Sequence, residues 1–258
     1  MKKTVQTIRK SKGQRRLVAI TAYDAIFGDL ASRAGMDIIL VGDSVGNTML
    51  GHSTTMNVTV DVMVHHTAAV RRTEPESLLV ADLPFAQAHL AKEEVLQACT
   101  RLIQEGGAEA VKIEGNSNLE GTLNYLIDAG IPIMGHVGLL PQRVHTLGGY
   151  RKFGKTNEEH DSLLEDATAM QRAGCFAIIG EMIESKVAAE ITNSLIIPHI
   201  GIGSGPECDG QILVSTDMLG FQSKFYPSFV KAYANLEETI LDAFRTYGRE
   251  VKDNIFPE

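Results

Sequence analysis

Short apolar runs in this sequence repeatedly end in a side chain suited to chemistry. The run DIILVGDS reaches Asp43 and Ser44, LLVADLP reaches Asp82, and CFAIIGE reaches Glu181. Apolar runs of this length are typical of strands that are buried on both faces of a parallel sheet. Because barrel enzymes place their catalytic groups at the carboxyl ends of such strands, these residues are candidates for one active site.

The run AVKIEG places two charges on a strand that is otherwise apolar. Side chains alternate along a strand, so Lys112 and Glu114 share one face while Val111 and Ile113 share the other. If the apolar pair faces the helices, both charges point into the barrel, where an unpaired ion is costly. Each charge therefore needs a metal, a ligand or an opposite charge, and the two residues could also pair with each other.

Three carboxylates at successive strand ends predict a metal site. Asp43, Asp82 and Glu114 follow three consecutive predicted strands and should be neighbours around the rim. An all-oxygen set suits Mg²⁺, a hard cation that keeps several waters and accepts few protein carboxylates. A single aspartate at a strand end is more often a cap or turn residue, but three together favour the metal.

Glu181 and His136 are candidates for proton transfer. Glu181 ends the sixth predicted strand, across the rim from Asp43, and a poorly solvated position would raise its pKa towards that of a general base. His136 is predicted to end strand five, where it either donates to a substrate oxygen or caps a loop. His65 and His66 lie in a helical pattern, and we expect one to pack and the other to be solvated.

The elements that position these residues alternate between strand and helix. Strands are predicted near residues 16–21, 37–42, 78–82, 109–114, 131–136, 176–181, 197–202 and 211–215. Left-handed helix C-caps are predicted at Gly35, Gly107, Gly130 and Gly174. Eight strands joined by right-handed crossovers favour a closed (β/α)8 barrel, with a doubly wound open sheet as the structural alternative.

The length of 258 residues predicts one α/β catalytic domain, residues 1–258. Two predicted loops, 43–59 after strand two and 137–156 after strand five, exceed the usual length and are candidate lids or substrate clamps. Helices are predicted over residues 60–72 and, as a tail beyond the barrel, over residues 227–247.

Composition argues against several classes of partner. The net charge of −8 argues against nucleic acid, and no apolar stretch is long enough for a membrane helix. No apolar segment of a signal peptide follows the basic amino terminus, so we expect a cytoplasmic protein. The basic cluster at residues 2–16 is predicted to be a solvated helix or edge, with a contact to an anion or another subunit as the alternative. Cys99, Cys175 and Cys208 form no CxxC pair and are predicted to be core thiols.

Two glycine-containing motifs are weaker signals. Residues 149–156, GYRKFGKT, satisfy G-x-x-x-x-G-K-[ST], but a phosphate-binding loop of this type leaves a strand directly, whereas here Pro141 and a long loop intervene. The motif GIGSGP, residues 201–206, follows strand seven, where many barrels bind phosphate. Since no helix start clearly follows it, a tight passage beside a ligand is the alternative.

From about residue 4 to 255 the sequence resembles the ketopantoate hydroxymethyltransferase (3-methyl-2-oxobutanoate hydroxymethyltransferase) family. The segments that carry the resemblance are ITAYDA, LVGDSVGNTMLGH, HHTAAVRR, ADLPF, VKIEG, GHVGLLPQ, GGY, IGIGSG, DGQILV and FVKAYANL. The resemblance implies a magnesium-dependent (β/α)8 barrel of the phosphoenolpyruvate/pyruvate type. It also implies 5,10-methylenetetrahydrofolate as the one-carbon donor and a large homo-oligomer, a decamer.

The resemblance implies a role for each candidate residue. The implied magnesium ligands are Asp43, Asp82 and Glu114, the last bound directly or through water. The implied keto-acid-binding residues are Asp43, Ser44, Asp82, Lys112 and His136. Glu181 would remove the C3 proton of 3-methyl-2-oxobutanoate, and the resulting enolate would attack the folate methylene group to give 2-dehydropantoate.

Several positions depart from the family's usual pattern. Gly180 stands where an aliphatic residue usually precedes the catalytic glutamate, and Ile183 and Glu184 follow without the usual proline. The other departures are Asn47, Met56, Asn57 and Ser228. We expect the reaction class to be unchanged. The alternatives are a related barrel that makes or breaks a carbon–carbon bond beside a pyruvate-like enolate without folate, and a non-enzymatic oligomeric scaffold.

Overall fold

The computed structural model describes residues 2–149, 151–221 and 227–257. Eight parallel strands, β1 to β8, close into a barrel in sequence order. They are Leu17–Thr21, Ile38–Val41, Leu78–Asp82, Ala110–Glu114, Ile133–Gly138, Ala177–Glu181, His199–Ile202 and Gly210–Leu213. The predicted closed barrel is confirmed, and every strand boundary lies within two residues of its expected position.

Helices lie in every connection between consecutive strands except the one from β7 to β8. The α-helices, α1 to α11, are Val5–Arg9, Ala25–Arg33, Val45–Thr48, Val60–Arg71, Lys92–Gln104, Glu120–Asp128, Val144–Leu147, Asn157–Arg172, Ser185–Ser194, Ser215–Met218 and Leu236–Lys252. Short 3-10 helices are Thr55–Asn57, Gln87–His89, Ser117–Leu119 and Pro141–Arg143. Helix α4 matches the segment predicted at 60–72. All four glycines predicted as helix C-caps have positive φ angles.

The prediction of a helix over residues 227–247 is wrong at both ends. Residues 222–226 lie outside the described part of the chain, and α11 begins only at Leu236 and continues to Lys252. Between them, the Pro227 carbonyl accepts a hydrogen bond from the Val230 N–H and closes a turn. A turn at this proline therefore takes the place of the predicted first helical residues.

Alternation along the strands separates two apolar layers. Inward-facing residues such as Leu40, Val80 and Ile200 form a core inside the barrel, and Ile8 of α1 packs with them. The residues that alternate with them pack against the surrounding helices, as Ile39 does. Cys99, Cys175 and Cys208 are buried free thiols, as predicted. Charged groups near the carboxyl ends of the strands consequently sit above a filled barrel.

The basic amino-terminal segment includes a helix, α1, whose Arg9 is solvent-exposed as predicted, and ion pairs anchor other basic side chains of the segment. Lys12 Nζ lies 2.7 Å from Asp209 Oδ2, and Arg15 forms two 2.8 Å hydrogen bonds to the Asp37 carboxylate. Burial raises the pKa of the Asp37 carboxyl group, but hydrogen bonds from Arg15 and from the Val18 N–H outweigh burial, so the pKa of Asp37 is lowered. These contacts hold the chain that leads into β1.

The chain divides into two compact units, Met1–Ile212 and Leu213–Glu258. The first contains the barrel strands up to most of β8, and the second contains α10 and α11. The single domain expected over residues 1–258 stays a prediction. Within the described residues, no helix combines the length and the apolar character needed to cross a bilayer.

Candidate active site

Strand register brings the predicted side chains to one end of the barrel. Asp82 pairs with Lys112 between β3 and β4, and Glu114 pairs with His136 between β4 and β5. These four side chains are almost completely buried. Lys112 and Glu114 share the inward face of β4, as the alternation in AVKIEG predicts.

Lys112 lies at the centre of this group. Its Nζ is 3.1 Å from Asp82 Oδ1, 3.9 Å from Glu114 Oε1 and 3.1 Å from His136 Nδ1. Burial opposes its charge, but the neighbouring carboxylates outweigh burial and raise the pKa of Lys112. The lysine therefore stays protonated and supplies a fixed positive charge.

The three carboxyl groups carry more potential negative charge than Lys112 can neutralise. Burial, with repulsion from Asp82 as the next cause, raises the pKa of Asp43 to about 7. Burial also raises the pKa of Asp82, and it raises that of Glu114 well above the ordinary value, in both cases against the attraction of Lys112. A divalent cation at this position would relieve the repulsion between these groups.

The oxygen atoms of this cluster fit a hard cation. Asp82 Oδ2 accepts a 2.9 Å hydrogen bond from the Asp43 N–H, and buried Asp82 Oδ1 faces the Lys112 ammonium group at 3.1 Å. Among the residues that the structure describes, no three His, Cys, Asp or Glu side chains are grouped as a complete metal site. Because Mg²⁺ commonly binds one or two carboxylates and keeps several waters, Asp43 and Asp82 suit direct ligation, with Glu114 placed to act through water.

Gln142 covers the carboxylate cluster and was not identified from the sequence. Its side-chain amide donates to Asp43 Oδ2 at 2.8 Å and to the Leu83 carbonyl at 3.0 Å. Its backbone N–H donates to Glu114 Oε2 at 3.1 Å. The long loop after β5, predicted to be a lid or clamp, thus reaches three neighbouring strand ends through one residue.

Ser44 is held by a second residue that the sequence analysis missed. The Tyr23 hydroxyl, from the segment after β1, lies 2.8 Å from Ser44 Oγ, and Tyr23 is 1% exposed. The serine follows directly after Asp43. Its hydroxyl therefore has a defined position beside the carboxylate cluster.

His136 lies two residues inside β5, which corrects the prediction that it ends the strand. The strand continues to Gly138, which pairs with Glu181. Burial lowers the pKa of His136 well below the ordinary value, and Lys112 adds to this effect. Since the Lys112 ammonium group can only donate, His136 Nδ1 accepts and the neutral ring carries its proton on Nε2.

Glu181 faces that protonated nitrogen. Its Oε2 lies 3.3 Å from His136 Nε2, and its side chain is 16% exposed. Burial raises the pKa of Glu181 to about 8, against the attraction of Lys112. A poorly solvated carboxylate beside a neutral imidazole is suited to accept a proton from a carbon acid.

Neither glycine-containing motif forms a phosphate loop in the described residues. Strand β5 ends at Gly138, and Thr156 instead caps helix α8 by accepting the Glu159 N–H. The segment after β7 leads into β8 without an intervening helix. The two histidines of α4 follow the expected division, because His65 is exposed whereas His66 is half-buried with Nδ1 2.7 Å from the Tyr23 carbonyl.

Sequence comparison relates the chain to one family along its whole length. The family model described as Ketopantoate hydroxymethyltransferase matches residues 2–258. A 3-methyl-2-oxobutanoate hydroxymethyltransferase of Pelobacter propionicus is 48% identical over 257 residues, covering 99% of this chain and 95% of the relative. The Thermotoga neapolitana protein of the same name is 47% identical over 253 residues, covering 98% and 93%.

Solved structures with the same (β/α)8 barrel fold resemble this chain. A phosphonopyruvate hydrolase, solved with oxalate and Mg²⁺, has a TM-score of 0.64 at 14% identity, covering 98% of this chain and 88% of that one. A 2,3-dimethylmalate lyase of the PEP mutase/isocitrate lyase superfamily has a TM-score of 0.61 at 15% identity, covering 100% and 91%. These likenesses agree with the (β/α)8 fold that the strand order shows.

Proposed function

This chain belongs to the ketopantoate hydroxymethyltransferase family, and we propose that it transfers a hydroxymethyl group from 5,10-methylenetetrahydrofolate to 3-methyl-2-oxobutanoate, giving 2-dehydropantoate. The observation that carries the proposal is the buried carboxylate of Glu181, whose pKa is raised to about 8, at the end of the barrel that also holds Lys112 and the acidic cluster. A base next to groups that stabilise negative charge is suited to removing a proton from the carbon beside a ketone.

Glu181 is the general base of the proposed reaction. It takes the C3 proton of the keto acid, and the electron pair of the broken C–H bond moves into the enolate. Among the described residues the buried Nε2–H of neutral His136 has no hydrogen-bond acceptor, and it lies 3.3 Å from Glu181 Oε2, so it is placed to donate to a substrate oxygen beside the carboxylate. The enolate carbon then bonds to the donor's methylene carbon as one carbon–nitrogen bond of the donor breaks, with its electron pair moving to nitrogen. Water supplies the hydroxyl group as the second carbon–nitrogen bond breaks with its electron pair moving to the other nitrogen, and the two nitrogens take up the proton from C3 and the proton released by water, giving 2-dehydropantoate and tetrahydrofolate.

Lys112 and the acidic cluster stabilise the negative charge that develops on the substrate oxygen. The Lys112 ammonium group is fixed by Asp82 at 3.1 Å and needs no rearrangement during the reaction. Mg²⁺ held by Asp43 and Asp82, with Glu114 in support, would supply a Lewis acid for the keto acid's carboxylate and keto oxygens.

Ser44 and Gln142 complete the proposed substrate site. The Ser44 hydroxyl, fixed by Tyr23, is positioned to bind the keto acid. Gln142 brings the loop after β5 onto the acidic cluster and limits the access of water. A lower content of water strengthens the electrostatic interactions in the site.

Family membership also supports three proposals about the protein as a whole. We assign Mg²⁺ as the metal, a cytoplasmic location, and a homo-oligomer, a decamer, as the assembly. Light scattering coupled to size-exclusion chromatography measures the mass of the assembly directly. A mass far from that of a decamer would reject the proposed decamer.

Proton exchange tests the proposed function. The protein is incubated with Mg²⁺ and 3-methyl-2-oxobutanoate in deuterated water, the C3 proton is followed by NMR, and methylenetetrahydrofolate is then added. We expect Mg²⁺-dependent exchange followed by 2-dehydropantoate. Exchange without product would favour a related barrel that uses another electrophile, and the absence of exchange would reject the keto acid or Glu181 as the base.

Two variants make the experiment specific. Glu181→Gln removes the base but keeps the size of the side chain, and we expect at least about 100-fold slower exchange with keto-acid binding preserved. Glu165→Gln makes the same change at an exposed residue of α8 and should exchange at the wild-type rate. Near-normal exchange in Glu181→Gln would remove Glu181 from the mechanism.

A further inference from the structure

One buried hydroxyl group fastens the backbone on both sides of Glu181. Ser204 Oγ donates to the Gly180 carbonyl at 2.7 Å and accepts the Ile183 N–H at 3.0 Å. Ser204 is 1% exposed and belongs to the glycine-rich segment after β7. Since the two bonded groups belong to the residue before Glu181 and to a residue just after it, the hydroxyl spans the turn that carries the carboxylate.

The turn itself has an unfavourable backbone conformation. Met182, directly after Glu181, has a φ of 51° although it is not glycine. Left-handed conformations of such residues are strained and persist only where the surrounding contacts enforce them. The conformation that aims Glu181 into the barrel therefore depends on the groups that hold residues 180–183.

Backbone contacts supply part of this restraint. The Met182 N–H donates to the Ile202 carbonyl, and the Met182 carbonyl accepts the Phe153 N–H, both at 2.8 Å. Ser204 is the side chain that adds to them, because its hydroxyl bonds Gly180 and Ile183 at once. Loss of the hydroxyl would leave the buried Ile183 N–H without this acceptor and free the turn to relax towards negative φ.

We propose that Ser204 is a positioning residue for the base, fixing the direction of the Glu181 carboxylate by clamping the turn from Gly180 to Ile183. This inference rests on the proposed function, in which Glu181 removes the C3 proton. Ser204 itself does not touch the substrate. With this role for Ser204, the glycine-rich segment after β7 orients the proposed base rather than binding phosphate.

The test compares proton exchange in Ser204→Ala, Ser204→Cys and Ser11→Ala. Ser11 is also a buried serine, 4% exposed, whose Oγ donates to the Ile8 carbonyl at 2.6 Å in the segment before β1. Ser11→Ala therefore removes a comparable hydroxyl from a part of the chain that carries no proposed site residue. Exchange of the C3 proton is measured without folate, together with the dissociation constant of the keto acid.

We expect Ser204→Ala to slow exchange by about 10- to 100-fold, because a displacement of about 1 Å at a reacting group has effects of this size. The dissociation constant of the keto acid should stay within about twofold, and Ser204→Cys, which keeps a weak donor and acceptor, should fall between Ser204→Ala and the wild type. Ser11→Ala should exchange at the wild-type rate. The pH dependence of exchange should also change in Ser204→Ala, because the environment of the Glu181 carboxylate changes.

Several results would overturn the assignment. Exchange by Ser204→Ala within about twofold of the wild type would do so, as would equal slowing in Ser11→Ala or a loss confined to keto-acid binding. If Ser204→Ala does not fold, Ser204→Cys decides the question by the same criteria. Absence of exchange in the wild type would reject the proposed function and this inference with it, whereas normal exchange in the wild type and both Ser204 variants would reject only the role of Ser204.

Discussion

The imidazole of His199 lies against the backbone of Gly180 and occupies the space that a side chain at position 180 would fill. Both residues lie on the outward faces of their strands, directly behind the inward-facing Glu181. His199 is fully buried, with Nδ1 2.8 Å from Thr192 Oγ1. Glycine before Glu181, the proposed base, departs from the usual aliphatic residue, and the volume of the histidine on β7 explains this departure.

This relationship predicts energetic coupling between the two positions. Gly180→Ala should destabilise the protein by about 1–3 kcal/mol, the typical cost of overfilling a packed core. His199→Val should make room, so the double variant Gly180→Ala/His199→Val should be more stable than the sum of the single changes implies. Urea unfolding of the four proteins in the cycle measures this coupling.

Gly248 provides the control for that cycle. It lies in α11, and a Cβ added there would meet no atom within 4 Å. Gly248→Ala should therefore be neutral or slightly stabilising, as expected for alanine in a helix. Additive effects of Gly180→Ala and His199→Val would show that the two positions are not coupled.

Lys112 should be essential to the stability of the metal-free site. Lys112→Met removes the charge that neutralises Asp82 and Glu114, and loss of one partner from a buried ion pair costs about 3–5 kcal/mol. The cost should be larger at pH 8 than at pH 5, because protonation of the two carboxyl groups relieves the repulsion at low pH. Chemical unfolding at both pH values measures this difference.

The matched control for Lys112 is Lys186→Met, an exposed lysine in α9. Its unfolding free energy should change by no more than about 0.5 kcal/mol at either pH. Equal losses in Lys112→Met at pH 5 and pH 8 would contradict the electrostatic explanation and indicate a packing effect alone.

The barrel and its charged rim were predictable because both depend on local sequence. Apolar runs of strand length locate β1 to β8, and a charge at the end of a run locates Asp43, Asp82 and Glu181. The alternation in AVKIEG places Lys112 and Glu114 on one face without any knowledge of the tertiary structure. His136 was placed at the end of its strand because the continuation of pairing to Gly138 depends on the neighbouring strand.

Residues that act through the tertiary fold were not predictable in the same way. Gln142 and Ser204 lie in the connections after β5 and β7, and their partners are separated from them by many residues along the chain. Tyr23 is similar, because its hydroxyl meets Ser44 only after β1 and β2 have paired. A glutamine, a serine or a tyrosine in a loop has no spacing that indicates which distant group it contacts.

The raised pKa of Glu181 predicts a pH-dependent difference in stability. The pKa moves from an ordinary value of 4.5 to about 8 in the folded protein, so the folded state binds this proton more tightly than the unfolded state does. The resulting stabilisation is complete below about pH 4.5 and is lost as the pH rises through about 8. The glutamine of Glu181→Gln does not ionise, so the variant does not lose this stabilisation as the pH rises. Between about pH 4.5 and 8 it should become progressively more stable than the wild type.

Unfolding free energies of the wild type and Glu181→Gln, measured without divalent cations from pH 4.5 to 9, test this prediction. The difference between the proteins should grow with pH and level off above about pH 8. Glu165→Gln, at an exposed position, is the control and should show no such trend. A difference that is independent of pH would mean that Glu181 ionises normally in the folded protein.

Asp82 should be needed for magnesium binding. Asp82→Asn keeps the shape of the side chain but removes a negative charge and one acceptor from the buried acidic cluster. Because Lys112 loses its 3.1 Å ion-pair partner in this variant, a change in thermal stability alone would not isolate the metal. Isothermal titration with Mg²⁺ on the folded protein does so, and we expect affinity to fall at least about tenfold, the effect of losing about 1.4 kcal/mol of binding energy. Asp161→Asn, an exposed position on α8, should titrate like the wild type, and an unchanged titration in Asp82→Asn would remove Asp82 from the proposed ligand set.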